Sequence, residues 1–187
     1  GVSERSRVEK VSGVGIYEYL TQQVFDRQSL AMQSFLLRTS LLEEFDASMC
    51  EKIIGKALGL EGQNWEEVID KIQRDNLFVL PIGNETLFLR YHHLFRDFLQ
   101  NRMRVERPDE TRKIETELAL YYQSIQEWER AMSIYFRIGT PDQQVDMIRQ
   151  AAPSMILNAR MVTLTNWMNA LPNNLAGSRP ELISIRG

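Results

Sequence analysis

Residues 77–103 read Leu77-Phe78-Val79-Leu80-Pro81-Ile82-Gly83-Asn84-Glu85-Thr86-Leu87-Phe88-Leu89-Arg90-Tyr91-His92-His93-Leu94-Phe95-Arg96-Asp97-Phe98-Leu99-Gln100-Asn101-Arg102-Met103. Within this stretch the apolar pattern changes its period. Residues 77–80 and 86–89 are short strand-like runs on either side of Gly83-Asn84, a tight-turn dipeptide. Pro81 makes the first run an edge strand or ends it early, because proline has no N–H to give to a ladder. Leu94, Phe95, Phe98, Leu99 and Met103 then return to helical spacing. A hairpin leading straight into a helix is the last part of a winged-helix domain, provided that three or four helices come before it.

The upstream sequence supplies them. Ile16, Leu20 and Val24 fall four residues apart, with Tyr17 and Tyr19 beside them, and make one helix stripe. Ser29 is placed to cap a second helix, made apolar by Phe35, Leu36, Leu37, Leu41 and Leu42. Asp46 is the expected cap of a third, with Met49, Cys50, Ile53 and Ile54 inside and Gly55 as its stop. Asn64 caps a fourth in capping-box spacing with Glu67, and its buried face is expected to be Trp65, Val68, Ile69 and Ile72. The order predicts a winged-helix domain over 13–107. Residues 1–12 are a polar lead-in or the end of a preceding domain. Pro108 marks the boundary, because proline starts helices well and continues them badly.

Beyond it the pattern is all helix. Ile114, Leu118, Tyr121, Tyr122 and Ile125 make one stripe. Ala131, Ile134, Tyr135 and Ile138 make the next, ended by Gly139-Thr140-Pro141. Val145, Met147 and Ile148 follow, then Met155, Ile156 and Leu157, and last Val162, Leu164, Trp167, Met168 and Leu171 before Pro172. Helices joined by turns this short pack as antiparallel neighbours. Residues 108–187 therefore read as the start of a TPR-like helical-repeat region, in which units bury their faces by stacking. A second unit begins at Pro180-Glu181-Leu182, so the chain reads as truncated at Gly187. The fold class expected is mainly α: a winged-helix domain with one β-hairpin wing, then antiparallel helix pairs.

Composition narrows the function. The 187 residues are 43% hydrophobic and 25% charged, ordinary for a globular chain, and the formal charge is -3. That balance lacks the basic excess of proteins that live on nucleic acid phosphates. The single cysteine, Cys50, excludes an intramolecular disulfide, and a reducing, cytoplasmic setting is the default. No apolar run approaches the roughly 18 residues a membrane span needs, and 1–10 has no signal-peptide core.

Catalytic patterns are missing. The one Gly-Lys pair, Gly55-Lys56, is followed by Ala57 and has Cys50 where a phosphate-binding loop has its first glycine. The only histidines, His92 and His93, are adjacent, and on a helix they would project about 100° apart, too far to share a metal. No metal site, and no enzymatic site in this stretch of chain, is expected. DNA readout by the winged helix is disfavoured as well. The groove-reading helix, 64–76, carries Glu66, Glu67, Asp70 and Asp75 against Lys71 and Arg74, and phosphate would repel it.

The segment Phe88-Leu89-Arg90-Tyr91-His92-His93-Leu94-Phe95-Arg96-Asp97-Phe98-Leu99 resembles the RYHHLF signature of the maltose-activator type of LuxR-family regulators, which belong to the STAND class of signal-transduction ATPases. Three further stretches are similar in order and spacing. They are Tyr19-Leu20 to Phe25-Asp26-Arg27-Gln28 with Phe35-Leu36-Leu37-Arg38-Thr39-Ser40, Asp75-Asn76-Leu77-Phe78-Val79, and Trp167 to Pro172 with Arg179-Pro180-Glu181-Leu182. Gln126 and Ala159 stand where the family has repeat-turn glycines, which leaves the geometry of those turns open.

The resemblance implies a longer protein: an upstream nucleotide-binding domain using ADP or ATP with Mg, this winged helix, a helical-repeat sensor for an inducer or partner protein, and a separate C-terminal output domain that binds DNA. It implies no membrane partner and no cofactor held by this segment alone. It also implies that His92 senses the β-phosphate of ADP and holds a closed state. Arg90 and Arg96 are the further cations that could reach phosphate. Spacing alone allows a plainer role, in which His92 and His93 cap the last helix or fill space beside the wing. Trp128, Tyr121, Tyr122 and Tyr135 read as core between helices, or as the lining of a ligand groove. Two functions stay open: a relay of nucleotide state from an upstream ATPase to the repeats, and a stand-alone helical scaffold for a protein or ligand.

Overall fold

A computed structural model describes residue 15 and residues 19–83 and 88–171. Residues up to Ile114 form one compact unit and residues from Glu115 a second.

The first unit begins with α1 (Leu20–Phe25), a single π-helical turn. The Ser29 hydroxyl accepts from the Met32 N–H and starts α2 (Leu30–Thr39), as its sequence position predicts. Asp46 caps the helix 47–58, here α3, through the Met49 N–H at 2.7 Å. Asn64 caps α4 (Trp65–Arg74) through the Glu67 N–H. The capping box is half made, because the Glu67 carboxylate takes the Asn64 side-chain amide instead of its backbone.

The expected stop at Gly55 is corrected. Helix α3 passes through Gly55 in a π-helical stretch, Cys50–Gly55, and ends at Gly59, whose φ of 67° is the left-handed cap that glycine tolerates. Gly55 is a packing glycine. A Cβ there would stand 3.2 Å from a Glu51 carboxylate oxygen and 3.6 Å from the Glu61 backbone. Met49, expected inside, is half-buried.

The wing is β1 (Val79–Ile82) paired antiparallel with β2 (Phe88–Tyr91). Strand β1 starts two residues later than its apolar run. Asn76 and Phe78 both have positive φ, 49° and 55°, so the chain is still turning where the run begins. Residues 84–87, and with them part of the expected Gly83-Asn84 turn, lie outside the described residues. Pro81 pairs with Leu89 within the strand. Leu89 gives its N–H and C=O to Phe45 on its other side, at 2.8 and 2.9 Å. The Pro81–Leu89 pair is therefore a non-hydrogen-bonded one, and the missing proline N–H costs the ladder nothing.

Helix α5 (His93–Glu106) follows directly and packs on α2. Seven rings run in series through the core: Phe25, Phe98, Phe95, Tyr91, Phe45, Phe35 and Trp65, with neighbouring centroids 5.1–6.3 Å apart. Offset and edge contacts of this kind add about 0.5–1.5 kcal/mol each beyond burial. They join α1 to α4 through the hairpin. Leu94, expected in the core, is 38% exposed.

Helix α6 (Pro108–Ser124) starts at the predicted proline. In the second unit come α7 (Trp128–Ile138), α8 (Pro141–Leu157) and α9 (Met161–Ala170). A full capping box, Thr140 with Gln143, follows Gly139 and starts α8. That one helix carries both of the stripes read around Ile148 and Met155. Contacts join α7 to α8 and α8 to α9. Ile114, Leu118, Tyr122, Ala131, Ile134, Tyr135, Val145, Met147, Ile148, Met155, Leu164, Trp167, Met168 and Leu171 are buried as expected. Ile125, Ile156, Leu157 and Val162 are not; Leu157 is 86% and Val162 75% exposed. The period marks an apolar face without saying whether anything packs on it. Ile16, Tyr17 and the unit expected from Pro180 lie outside the described residues.

Both turns that lack a glycine keep a left-handed residue: Gln126 has φ 61° and Ala159 φ 54°. The geometry is held without the residue that adopts it most readily.

Candidate functional site

His92 sits between β2 and α5 as the cap residue of that helix, with φ -55° and ψ 136°. Its N–H donates to the Phe78 carbonyl at 2.8 Å, and its carbonyl accepts from the Arg96 N–H at 2.9 Å. The side chain is half-buried and makes no cap bond to the helix, which leaves the imidazole at the wing's base beside the first turn of α5.

The expected splay of the two histidines is corrected. Their ring centroids are 4.4 Å apart and tilted by 33°. The 100° rule applies within a helix, and His92, with its extended ψ, stands just outside one. Among the described residues no group of three or more His, Cys, Asp or Glu is placed to hold a metal ion.

The two candidate arginines point elsewhere. Arg90, exposed on β2, pairs with Glu44. The Arg96 Nε donates to the Ser40 carbonyl at 3.2 Å, where Gln100 also donates at 2.7 Å. Both arginines thus anchor the segment that joins α2 to α3, and in this geometry neither joins its charge to His92.

That anchoring continues in places the sequence reading passed over. The buried Thr39 hydroxyl lies 2.7 Å from the Tyr91 hydroxyl and 2.8 Å from the Phe35 carbonyl. Burial pushes the Tyr91 phenol well above its usual value. Burial likewise pushes up the Cys50 thiol, helped by the nearby Asp46 carboxylate, so Cys50 is a core residue and no nucleophile. The Glu51 carboxylate accepts from the Gly62 N–H and the Trp65 indole, and these bonds hold it below the ordinary carboxylate range. The signal for Thr39 was a polar residue at a helical position that should be apolar, and only its partner's position gives it meaning.

In the second unit, Tyr122 and Tyr135 are buried while Tyr121 and Trp128 are half-buried. A polar cavity of about 500 Å³ lies between the turns at Gln126 and at Asn158 to Arg160, with Trp128 in its wall. The Trp128 indole N–H is buried without a partner among the described residues. No helix among the described residues is long and apolar enough to cross a membrane.

Residues 21–111 match the MalT winged helix domain family. The chain is 23% identical over 181 residues to the HTH-type transcriptional regulator MalT of Vibrio parahaemolyticus, covering 96% of this chain and 19% of that protein. It is 22% identical over 187 residues to MalT of Yersinia pestis strain Pestoides F, covering 98% and 20%. It is 27% identical over 100 residues to MalT of Vibrio cholerae, covering 54% and 10%. The chain thus spans about a fifth of the length of the curated relatives that it matches along nearly its whole length.

Proposed function

From a winged helix of the MalT type, in a chain that resembles transcriptional regulators of that name, we propose that this segment relays nucleotide state within an ATP-dependent regulator. In this reading an upstream domain of the same longer chain binds ADP or ATP with Mg. The winged helix senses which nucleotide is bound and passes that state to the helical repeats, where an inducer or partner protein acts. DNA is contacted by a separate output domain, and the protein works in the cytoplasm. The segment itself catalyses nothing.

The observation that carries the reading is the position of His92. It stands at the N-terminus of a 14-residue helix, where unpaired N–H groups and the helix dipole favour an anion. Its ring makes no cap bond to that helix and lies against a second imidazole. An imidazole donor to phosphate makes a charge-assisted hydrogen bond, stronger than a neutral one. Arg90 and Arg96 act as supports for the 40–46 segment unless nucleotide draws them from Glu44 and Ser40. Exchange of the nucleotide that removes the His92 contact would release the winged helix, since a switch needs a contact that differs between its two states.

The test is ADP affinity of the full-length protein with His92 and with His92→Ala, by calorimetric titration. The expected loss is about tenfold, roughly 1.4 kcal/mol. Equal affinities in a folded variant would return His92 to its capping position alone.

A further inference from the structure

The polar cavity of the second unit, about 500 Å³, has a volume ordinary for a small-molecule site. One wall is the turn at Gln126 with the first turn of α7. The other is the last turn of α8 with Arg160 beyond it. Among the described residues of this unit, these two turns are the ones that hold a residue other than glycine at positive φ, Gln126 and Ala159. Backbone held in that region tends to gather at binding sites, where the surroundings enforce it.

Three neighbours on the first wall carry the chemistry. Trp128 has a buried indole N–H without a partner among the described residues. A buried donor left unpaired costs about 1–3 kcal/mol, so an acceptor is called for. Glu129 is already paired, with Arg160 of the opposite wall at 3.2 Å. Glu127 is exposed, and its carboxylate makes neither a cap bond to α7 nor an ion pair among the described residues. The first turn of α7 therefore has no side-chain cap, and a free carboxylate stands beside it.

Charge distinguishes the occupants such a cavity could take. A plain anion suits the N–H groups but is repelled by Glu127 and Glu129. A plain cation suits Glu127 and leaves the indole unpaired. A neutral polyol gains nothing from the charge of Glu127. A zwitterion answers both needs: a carboxylate oxygen for the N–H groups and an ammonium for Glu127. The amides of Gln126 and Asn158 complete a lining in which only a polar side chain finds partners.

We infer that this cavity binds a free α-amino acid with a polar side chain. Its carboxylate accepts from the Trp128 indole and the first turn of α7, and its ammonium is held by Glu127. The bound molecule ties the two turns together, which the half-exposed Glu129–Arg160 pair alone does only weakly. The site belongs to the second unit by itself and does not depend on the relay proposed above.

The test is calorimetric titration of the full-length protein with each of the standard L-amino acids, joined to fluorine NMR of the fluorotryptophan-labelled protein. Trp128→Phe identifies the Trp128 resonance by its loss. At least one polar amino acid should bind and shift that resonance to saturation. Glu127→Gln should weaken this binding about tenfold, the loss of one charge-assisted hydrogen bond, and as an exposed change it tests the site even if Trp128→Phe does not fold. The N-acetyl derivative, which lacks the ammonium, and the amide, which lacks the carboxylate, should both bind more weakly than the parent amino acid. Failure of every amino acid to bind overturns the assignment. So does binding that leaves the Trp128 resonance in place, ignores Glu127→Gln or is matched by glycerol.

Discussion

The Thr39 hydroxyl meets the Tyr91 hydroxyl at 2.7 Å inside the core, joining the end of α2 to the end of β2. Thr39 lies in the Phe35-to-Ser40 stretch and Tyr91 in the RYHHLF stretch, so two segments singled out by resemblance are in direct contact. Thr39 has one proton and a carbonyl at 2.8 Å to take it, that of Phe35, so Tyr91 donates to Thr39.

That direction makes the pair asymmetric to mutation. Tyr91→Phe removes a donor and leaves Thr39 bonded to Phe35, at about 1 kcal/mol. Thr39→Val keeps the shape but leaves the buried phenol without an acceptor, at about 1–3 kcal/mol. Urea denaturation of both variants should rank Thr39→Val as the costlier. The reverse order would contradict the assigned direction.

Glu110 in α6 should make stability acid-sensitive. Partial burial would raise its pKa, but the Arg38 bond at 2.8 Å, with the charges of Arg38 and Arg107, outweighs this and holds it below the ordinary value. A carboxyl depressed in the folded state stabilises above its unfolded pKa, and the effect is lost as pH falls through the folded value. Because the group is partly exposed, about 1 kcal/mol or less is at stake. Glu110→Gln should be less stable than the parent at pH 7, and the gap should close on a denaturant series as the pH falls below the ordinary carboxylate value. A gap that does not change with pH would show that the ion pair contributes nothing.

Gly139 is held by space. Its φ is an ordinary -76°, yet a Cβ would lie 2.6 Å from the Tyr135 carbonyl oxygen and 3.1 Å from the Tyr135 Cα. These are backbone atoms that cannot swing away. Gly139→Ala should destabilise the α7–α8 pair by about 1–3 kcal/mol, the range for overpacking. A thermal melt that does not move would mean that the turn yields freely.

The turns at Gln126 and Ala159 invite the opposite change. Glycine usually costs a helical protein about 1 kcal/mol against alanine. At φ 54° the left-handed penalty is of similar or greater size. Ala159→Gly should therefore be neutral to about 1 kcal/mol stabilising, after the entropy lost by the more flexible unfolded chain. Ala151→Gly, within α8, is the control and should destabilise. Equal losses at both positions would show that position 159 carries no strain.

These cases mark what a sequence can carry. Ser29, Asp46 and Asn64 start their helices by bonding an N–H three residues on, as read from the sequence, while Thr140, read only as part of a stop, caps its helix in the same way. Gly55 and Gly59 could not be told apart by spacing, because one is required by its neighbours and the other by its φ. The strand offset came from Asn76 and Phe78, residues with no turn signature strong enough to override an apolar run. For the candidate site, His92 and its helix were legible. The meeting of the His92 and His93 rings depends on the extended ψ of His92, and the turning of Arg90 and Arg96 toward Glu44 and Ser40 depends on contacts made 46 and 56 positions away in the chain.

The wing also bears on how the protein behaves in concentrated solution. An uncovered strand is a template on which other chains can polymerise, and β1, whose outer edge pairs with no other strand among the described residues, has the composition that would favour this. Position 81 interrupts the template, since a growing stack would meet an imide nitrogen where it needs a hydrogen. Any substitution there that restores the amide should leave the isolated wing intact and turn its rim into a seed for fibrils.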